Sequence, residues 1–155
     1  MANPVSRFLQ GKGIHHRVFR HSGAILSLEQ AARERGQKPD QVIRSILFRL
    51  SKSEYALVLM AGPSQISWRR LRNYLGKSRL TLANDEEVLG ATGYLPGTVS
   101  PLGISTHIRV LVDESVFAMD ELSIGSGVKG EAVILSSSDL LYAIGRFESG
   151  KFSAD

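Results

Sequence analysis

The sequence contains no cysteine, and this absence removes several classes of chemistry at once. Without thiols the chain cannot form a disulfide, hold a metal through thiolates or use a cysteine nucleophile. Long apolar stretches are also missing, because no segment approaches the roughly 20 residues that a membrane helix needs. Residues 1–10 have no continuous apolar core and do not resemble a signal peptide. The sequence therefore predicts a cytoplasmic protein with no membrane partner.

Familiar catalytic and cofactor motifs are absent as well. The four histidines show no H-x-x-x-H spacing, so no metal site is predicted. There is no G-x-S-x-G elbow and no Walker loop. The letters GSGVKG at residues 125–130 match a dinucleotide-binding motif, but that motif needs a following helix, and AVIL is typical of a strand. We expect no cofactor. For residues 125–130 the sequence leaves two interpretations open, a turn beside a ligand and a plain hairpin loop.

The charged residues are distributed unevenly along the chain. Residues 1–80 hold 15 Lys and Arg against four Asp and Glu, whereas residues 81–155 hold four against 11. The two parts carry +11 and −7, which sum to the net charge of +4. A basic surface favours a polyanion such as nucleic acid, although the two parts can also interleave in the fold and mix their charges.

Apolar periodicity and turn signals predict one domain over residues 1–155. Residues 43–50 and 55–61 are apolar and β-prone and indicate a hairpin, and Ser27, Ser67, Asn84 and Ser136 are predicted helix caps. Strands and short helices mix rather than alternate, which indicates an α/β (α+β) fold with a mixed, largely antiparallel sheet. Trp68 lies on an apolar helical stripe and is expected in the core, and residues 151–155 are expected to fray.

The stretch GYLPGTVSPLG, residues 93–103, holds three glycines and two prolines and no charge. Glycine permits positive φ and close backbone approach, and proline fixes φ and removes a donor. Such a loop is typical of a partly buried turn that presents backbone amides to a ligand. It is equally typical of a plain connection packed on the core, and the pattern alone leaves both open.

Three segments together resemble the YbaK-type aminoacyl-tRNA editing family, which includes the editing domain of prolyl-tRNA synthetases. They are PDQVIRSILF at residues 39–48, the loop at 93–103, and GSGVKG at 125–130 with SDLL at 138–141. Their order and separations fit that family across nearly the entire chain. The resemblance implies a compact α/β fold with a mixed, barrel-like sheet of six or seven strands and surrounding helices.

The same resemblance implies an enzyme, a trans-editing hydrolase that cleaves the aminoacyl ester at the 3′ end of a mischarged tRNA. Its implied partners are that tRNA and an aminoacyl-tRNA synthetase. This reaction does not require a side-chain base, because backbone N–H groups can stabilise the developing oxyanion. The neighbouring ribose hydroxyl can orient the attacking water, or a substrate side chain can attack.

The resemblance also assigns roles to individual residues. Catalytic roles fall to Arg44, Gly97, Ser100 and Gly103. Substrate contacts are implied for His21, Ser45, Thr98, Pro101, Ser126 and Gly127. The basic residues expected to contact the acceptor stem are Arg69, Arg70, Arg72, Lys77 and Arg79.

Several positions depart from the family pattern. Arg44 and Ser45 stand where Lys and Thr are usual, Thr98 replaces a common glycine, and His21 and Ala132 take the places of a Tyr and an Asp. These departures support a second hypothesis, a non-catalytic module of the same fold that binds an aminoacyl or nucleotide-like ligand or docks on a synthetase. A third is a tRNA-binding protein that acts through charge alone.

Overall fold

The computed structural model describes residues 2–105 and 107–155, in which eight strands form two β-sheets. The first sheet has, in spatial order, β1 (Arg17–Arg20), β7 (Glu131–Ser136) and β6 (Glu121–Gly125). The second has β4 (Thr81–Leu82), β2 (Ile43–Ser51), β3 (Glu54–Ala61), β5 (Arg109–Asp113) and β8 (Glu148–Gly150). A parallel bridge between Val42 and Ser123 connects the two sheets.

Strand pairing is antiparallel except between β3 and β5 and between β5 and β8, which are parallel. The predicted mixed, largely antiparallel α/β fold is therefore confirmed. The predicted single barrel-like sheet of six or seven strands is not confirmed, since the described strands divide into two sheets.

The hairpin of β2 and β3 is central because both of its faces are buried. Ile43 and Leu47 of β2 belong to one apolar cluster, whereas Phe48 and Leu50 belong to a second. Successive strand residues point to opposite faces, so a strand covered on both sides is apolar at consecutive positions. The continuous apolar run in this part of the sequence follows from that double burial.

Five α-helices lie in the described part of the chain: α1 (Pro4–Gly11), α2 (Leu28–Glu34), α3 (Trp68–Leu75), α4 (Asp85–Thr92) and α5 (Ser137–Ile144). Ser27, Ser67, Asn84 and Ser136 each accept a hydrogen bond from a first-turn N–H, as predicted for helix caps. Helix α1 was not predicted, although the Asn3 cap followed by Pro4 is a start signal. None of the described helices is long and apolar enough to cross a bilayer.

Two local predictions are wrong. Trp68 is 40% exposed and meets the ring of Phe48 edge-on, so only Leu71 and Leu75 of its stripe are buried. The C-terminal residues 151–155 do not fray, because the Phe152 ring is buried in the second apolar cluster. The backbone N–H of Phe152 donates to the buried Asp113 carboxylate at 2.7 Å, which fixes this segment.

Gly90 lies inside α4, has an ordinary helical φ, and has open space where a Cβ would be. We expect Gly90→Ala to raise the free energy of unfolding by about 0.5–1 kcal/mol, because alanine loses less backbone entropy on folding than glycine. Urea unfolding monitored by circular dichroism measures the change. A lower midpoint for the variant would contradict this account of α4.

Candidate functional site

A cavity of about 280 Å³ opens where the two sheets meet. Its walls come from the start of β2, the end of β6, the loop at residues 93–103 and the segment between β1 and α2. It brings together Arg44, Ser45 and Gly97, three of the candidate site residues from the sequence. The full set of lining residues includes Ile25, Arg35, Val42, Ile43, Arg44, Ser45, Gly97, Val99, Ile124, Gly125, Gly130 and Glu131.

The loop at residues 93–103 is held in one conformation by its own hydrogen bonds. The Tyr94 ring is buried, and its hydroxyl donates to the carbonyl oxygen of Leu102. The Thr98 hydroxyl donates to the Leu95 carbonyl at 2.7 Å, and the fully buried Ser100 hydroxyl accepts from the Leu102 N–H at 3.1 Å. Burial raises the pKa of the Tyr94 phenol. The loop is therefore a rigid turn with few degrees of freedom.

Five backbone N–H groups of this loop have no acceptor within residues 2–105 and 107–155: those of Leu95, Gly97, Val99, Ser100 and Gly103. Gly97 and Val99 line the cavity, and Gly97 has a φ of +84° that favours glycine. Gly97 is exposed, whereas Val99 is half-buried, and a half-buried N–H without a partner is costly unless a ligand or water accepts from it. The loop can thus offer backbone donors to a ligand in the cavity.

Gly125, at the end of β6, lets this loop approach the sheet. A Cβ at position 125 would lie 2.9 Å from the Thr98 carbonyl oxygen and closer still to that of Val99. The Gly127 N–H donates to the same Thr98 carbonyl at 3.0 Å, which fastens the loop to the turn after β6. Only glycine permits this backbone-to-backbone contact.

Arg44 lines the cavity from β2, but its guanidinium is largely engaged by the main chain. Its Nε donates to the Gly62 carbonyl at 2.9 Å, and Nη2 donates to the Ser64 carbonyl. Nη1 has no acceptor among the described residues. Partial burial lowers the pKa of Arg44. Arg44 thus anchors the segment that leads into α3, and one nitrogen is left for a ligand.

Ser45 is the neighbour of Arg44 on β2 and also lines the cavity. Its Oγ is buried and has no hydrogen-bond partner within the described residues. An unpaired buried hydroxyl is unfavourable by about 1–3 kcal/mol, and a ligand group or a water in the cavity would relieve that cost. Ser45 is therefore the side-chain hydroxyl best placed to contact a ligand there.

The other residues implied for substrate contact occupy different positions. Thr98 and Ser126 are buried, and the Ser126 hydroxyl is used within its own turn, on the N–H and carbonyl of Val128. Gly127 packs against Tyr94 and Pro4. Pro101 and Gly103 line a separate cavity of about 730 Å³ beside α1 and α5. The predicted site residues of the loop are thus divided between two cavities, with Gly97 in the first and Pro101 and Gly103 in the second.

His21 lies behind the cavity rather than in its lining. Its side chain is fully buried, and it is bonded to Glu34 and to Arg35. Arg35, Glu131 and Ile25 line the cavity and were not among the predicted site residues. Arg35 has the sequence context of an ordinary exposed helix arginine before a terminal glycine, so no local signal distinguishes it.

The predicted tRNA-contacting residues surround α3, on the far side of the five-stranded sheet from the cavity's apolar wall. Leu71 of α3 packs in the second apolar cluster, whereas Ile43 and Ile124 belong to the first. The side chains of Arg69, Arg70 and Arg72 make no ion pair within the described residues, whereas Lys77 pairs with Glu54. Elsewhere the charges of the two halves do mix, as in Arg17–Glu121, Arg20–Glu131 and Arg49–Glu87.

Across residues 2–105 and 107–155 no group of three His, Asp or Glu side chains is arranged to hold a metal ion. The hydrogen-bond donors among the lining residues are instead backbone N–H groups, the Ser45 hydroxyl and the arginines Arg35 and Arg44. This set can hold an anionic or carbonyl-bearing ligand, because all of its members donate hydrogen bonds.

Comparison with known proteins finds proline–tRNA ligases among the relatives. A proline–tRNA ligase from Limosilactobacillus fermentum is 25% identical over 126 residues, which cover 78% of this chain and 22% of that protein. One from Staphylococcus aureus is 27% identical over 99 residues, covering 64% of this chain and 17% of the ligase. The chain thus spans about a fifth of the length of these relatives.

Solved structures share the fold. One, described as a candidate trans-editing enzyme for prolyl-tRNA synthetase, superposes with a TM-score of 0.85 at 22% identity and covers 100% of both chains. Another, described as a hypothetical protein, has a TM-score of 0.82 at 21% identity and covers 96% of this chain and 98% of its own. The family profile of the aminoacyl-tRNA editing domain matches residues 22–143. Because that match covers most of the chain, the protein belongs to the aminoacyl-tRNA editing domain family, as the sequence motifs predicted.

Proposed function

We propose that this chain is a deacylase that acts in trans and hydrolyses the ester joining a mismatched amino acid to the 3′ end of a tRNA. The observation that carries the proposal is the rigid loop at residues 93–103. It lines the cavity at Gly97 and Val99, whose N–H groups have no acceptor in the described part of the chain. Fixed donors of this kind stabilise the oxyanion that forms in ester hydrolysis.

In the proposed reaction a water oxygen adds to the ester carbonyl carbon and loses a proton, with the neighbouring ribose hydroxyl orienting the water. The carbonyl oxygen becomes an oxyanion that accepts hydrogen bonds from Gly97 and Val99. Collapse of this intermediate breaks the bond to the ribose oxygen, which takes up a proton. The products are the free amino acid and a tRNA with a free terminal hydroxyl.

The size and lining of the cavity favour a small amino acid. Its volume of about 280 Å³ is at the low end for ligand sites, and Ile43, Val99 and Ile124 make part of its wall apolar. The unpaired Ser45 hydroxyl adds one polar contact for a side chain or for the ester carbonyl. We therefore propose alanine, serine or cysteine as the amino acid removed.

The proposal is tested by incubating the purified protein with a panel of tRNAs mischarged with alanine, serine or cysteine. We expect faster release of amino acid than in buffer for at least one of them. Release from none of the panel above the buffer rate would remove the deacylase proposal.

The basic residues around α3 are proposed to hold the acceptor stem through its phosphates. We expect tRNA binding to weaken when Arg69→Gln, Arg70→Gln and Arg72→Gln are combined. The slope of log affinity against log salt should also fall by up to about 3, since each lost phosphate contact accounts for roughly one unit. Lys52→Gln, at the exposed turn of the hairpin, is the matched control. Filter binding at several salt concentrations measures the affinity and the slope for each variant. An unchanged slope in the triple variant would exclude the surface around α3 as the site of phosphate contact.

A second candidate is a binding module without hydrolytic activity. The engagement of Arg44 with the carbonyls of Gly62 and Ser64 favours it, because those donors are then not free to act on a substrate. Tight binding of an unreactive aminoacyl-adenosine amide, together with no turnover of the tRNA panel, would select this function over deacylation.

A further inference from the structure

A chain of hydrogen bonds behind the cavity fixes the orientation of Arg35. Its Nε donates to His21 Nε2 at 3.0 Å, and its Nη1 donates to the fully buried Ser123 hydroxyl at 2.9 Å. Because an arginine can only donate, His21 Nε2 is the acceptor and its proton is on Nδ1. That proton is donated to Glu34 Oε1 at 2.7 Å. The neutral, fully buried imidazole thus holds Arg35 in place.

The guanidinium of Arg35 is only partly satisfied by these contacts. An arginine has five N–H bonds, and two are used here, so three have no acceptor among the described residues. Both acceptors are uncharged, and no carboxylate forms an ion pair with Arg35 within residues 2–105 and 107–155. Glu34 is adjacent in sequence, but its carboxylate is bonded to His21 and Gln30. Partial burial lowers the pKa of Arg35 because it desolvates the cation, and the nearby Glu34 carboxylate offsets only part of this effect.

The cavity as a whole is short of negative charge. Its lining includes two arginines, Arg35 and Arg44, and a single acidic residue, Glu131. Glu131 already accepts from Arg20 at 2.7 Å and from Asn3 at 3.0 Å. A partly buried cation without an anionic partner is costly, and a bound anion would remove that cost. The planar fork of arginine matches the paired oxygens of a carboxylate or a phosphate.

We propose that Arg35 is a ligand-binding residue that recognises an anionic group with paired oxygens on the bound aminoacyl-tRNA end. For the esters of alanine, serine or cysteine, which have no free carboxylate, that group is the phosphodiester that precedes the terminal adenosine. A carboxylate on the amino acid would instead identify an aspartyl or glutamyl ester as the ligand. The identity of the ligand rests on the function proposed above, whereas the anion preference of Arg35 rests on the cavity itself. His21 and Ser123 act as positioning residues for the guanidinium.

Three hydrolysis-resistant probes test this assignment by isothermal titration. The first is 3′-alanylamido-adenosine, which has neither a phosphate nor a side-chain carboxylate. The second is the same amide on a cytidine–adenosine dinucleotide, which adds one phosphodiester. The third is 3′-aspartylamido-adenosine, which adds one side-chain carboxylate. We expect Arg35→Gln to weaken binding of one anionic probe about 10-fold or more and to change the neutral probe less than twofold. The affected probe identifies the source of the anion.

Matched variants separate recognition from folding. Arg33→Gln removes an exposed arginine from α2, the helix that Arg35 follows directly, and is expected to bind all three probes as the wild type does. Arg35→Lys retains the charge without the planar fork, and we expect an intermediate loss of affinity for the same anionic probe. If Arg35→Gln unfolds in a thermal melt, Arg35→Lys is compared with the wild type in its place. Ser123→Ala removes one anchor and is expected to give a smaller loss on the same anionic probe.

Equal effects of Arg35→Gln on all three probes, an effect on none, or no binding of either anionic probe by the wild type would overturn the proposal. Binding does not depend on turnover, so the two proposals fail separately. A protein that releases no amino acid but shows the Arg35-dependent preference loses the deacylase function and keeps this inference. A protein with the opposite behaviour keeps the function and loses the inference.

Discussion

Gly125→Ala is expected to lower the free energy of unfolding by about 1–3 kcal/mol and to reduce deacylation about 100-fold. The added Cβ would overlap the carbonyl oxygens of Thr98 and Val99, so the loop at residues 93–103 must move away from β6. Both atoms belong to the backbone of a loop fixed by internal hydrogen bonds, and neither can rotate aside as a flexible side chain would. The movement would displace the N–H groups of Gly97 and Val99 from the cavity.

Gly23→Ala is the matched control for this substitution. Gly23 lies outside regular structure, has no positive φ, as Gly125 has none, and has open space where a Cβ would be. We expect it to retain both stability and activity. Urea unfolding and turnover of the responsive mischarged tRNA measure the two effects for each variant. Wild-type turnover by Gly125→Ala would show that the position of the loop is not critical for the reaction.

Much of the framework was predictable because local signals and tertiary structure agree. The apolar runs of β2 and β3 flank a polar turn, and serine or asparagine precedes four of the helices with its side chain on a first-turn N–H. Trp68 shows where such reasoning fails. Its helical stripe correctly indicates the face toward the sheet, but the residue lies at the first position of α3, where the apolar cluster ends and the indole remains partly exposed.

The composition of the site was predictable only in part. Motif resemblance grouped Arg44, Ser45 and Gly97, and all three line one cavity, although Gly97 is more than 50 positions from the other two. It could not divide the loop into its two sides, because Gly97 and Gly103 have the same local signature and face different cavities. Arg35 could not be found at all, since its role depends on a buried hydrogen bond to Ser123, 88 positions away.

Arg44→Ala is expected to reduce kcat/KM for the responsive mischarged tRNA by about 10²–10³, the effect typical of removing one donor to a developing oxyanion. Two of the three guanidinium nitrogens bind the carbonyls of Gly62 and Ser64, so the substitution also releases the segment before α3. Nη1 is the nitrogen without an acceptor in the described residues, and it is proposed to contact the ester carbonyl or the ribose–phosphate end. The predicted loss therefore combines a lost ligand contact with a loosened support.

Two further variants separate these contributions. Arg49→Ala removes an exposed arginine from the same strand, whose partner is Glu87, and we expect it to keep wild-type turnover. Arg44→Lys retains a charge on β2 but has no planar fork to reach both carbonyls and the cavity at once, so an intermediate rate is expected. Turnover is measured alongside the thermal midpoint of each protein. If Arg44→Ala loses stability but keeps the wild-type kcat/KM, Arg44 serves only to anchor the segment leading to α3, and the donors for the oxyanion come from the loop backbone alone.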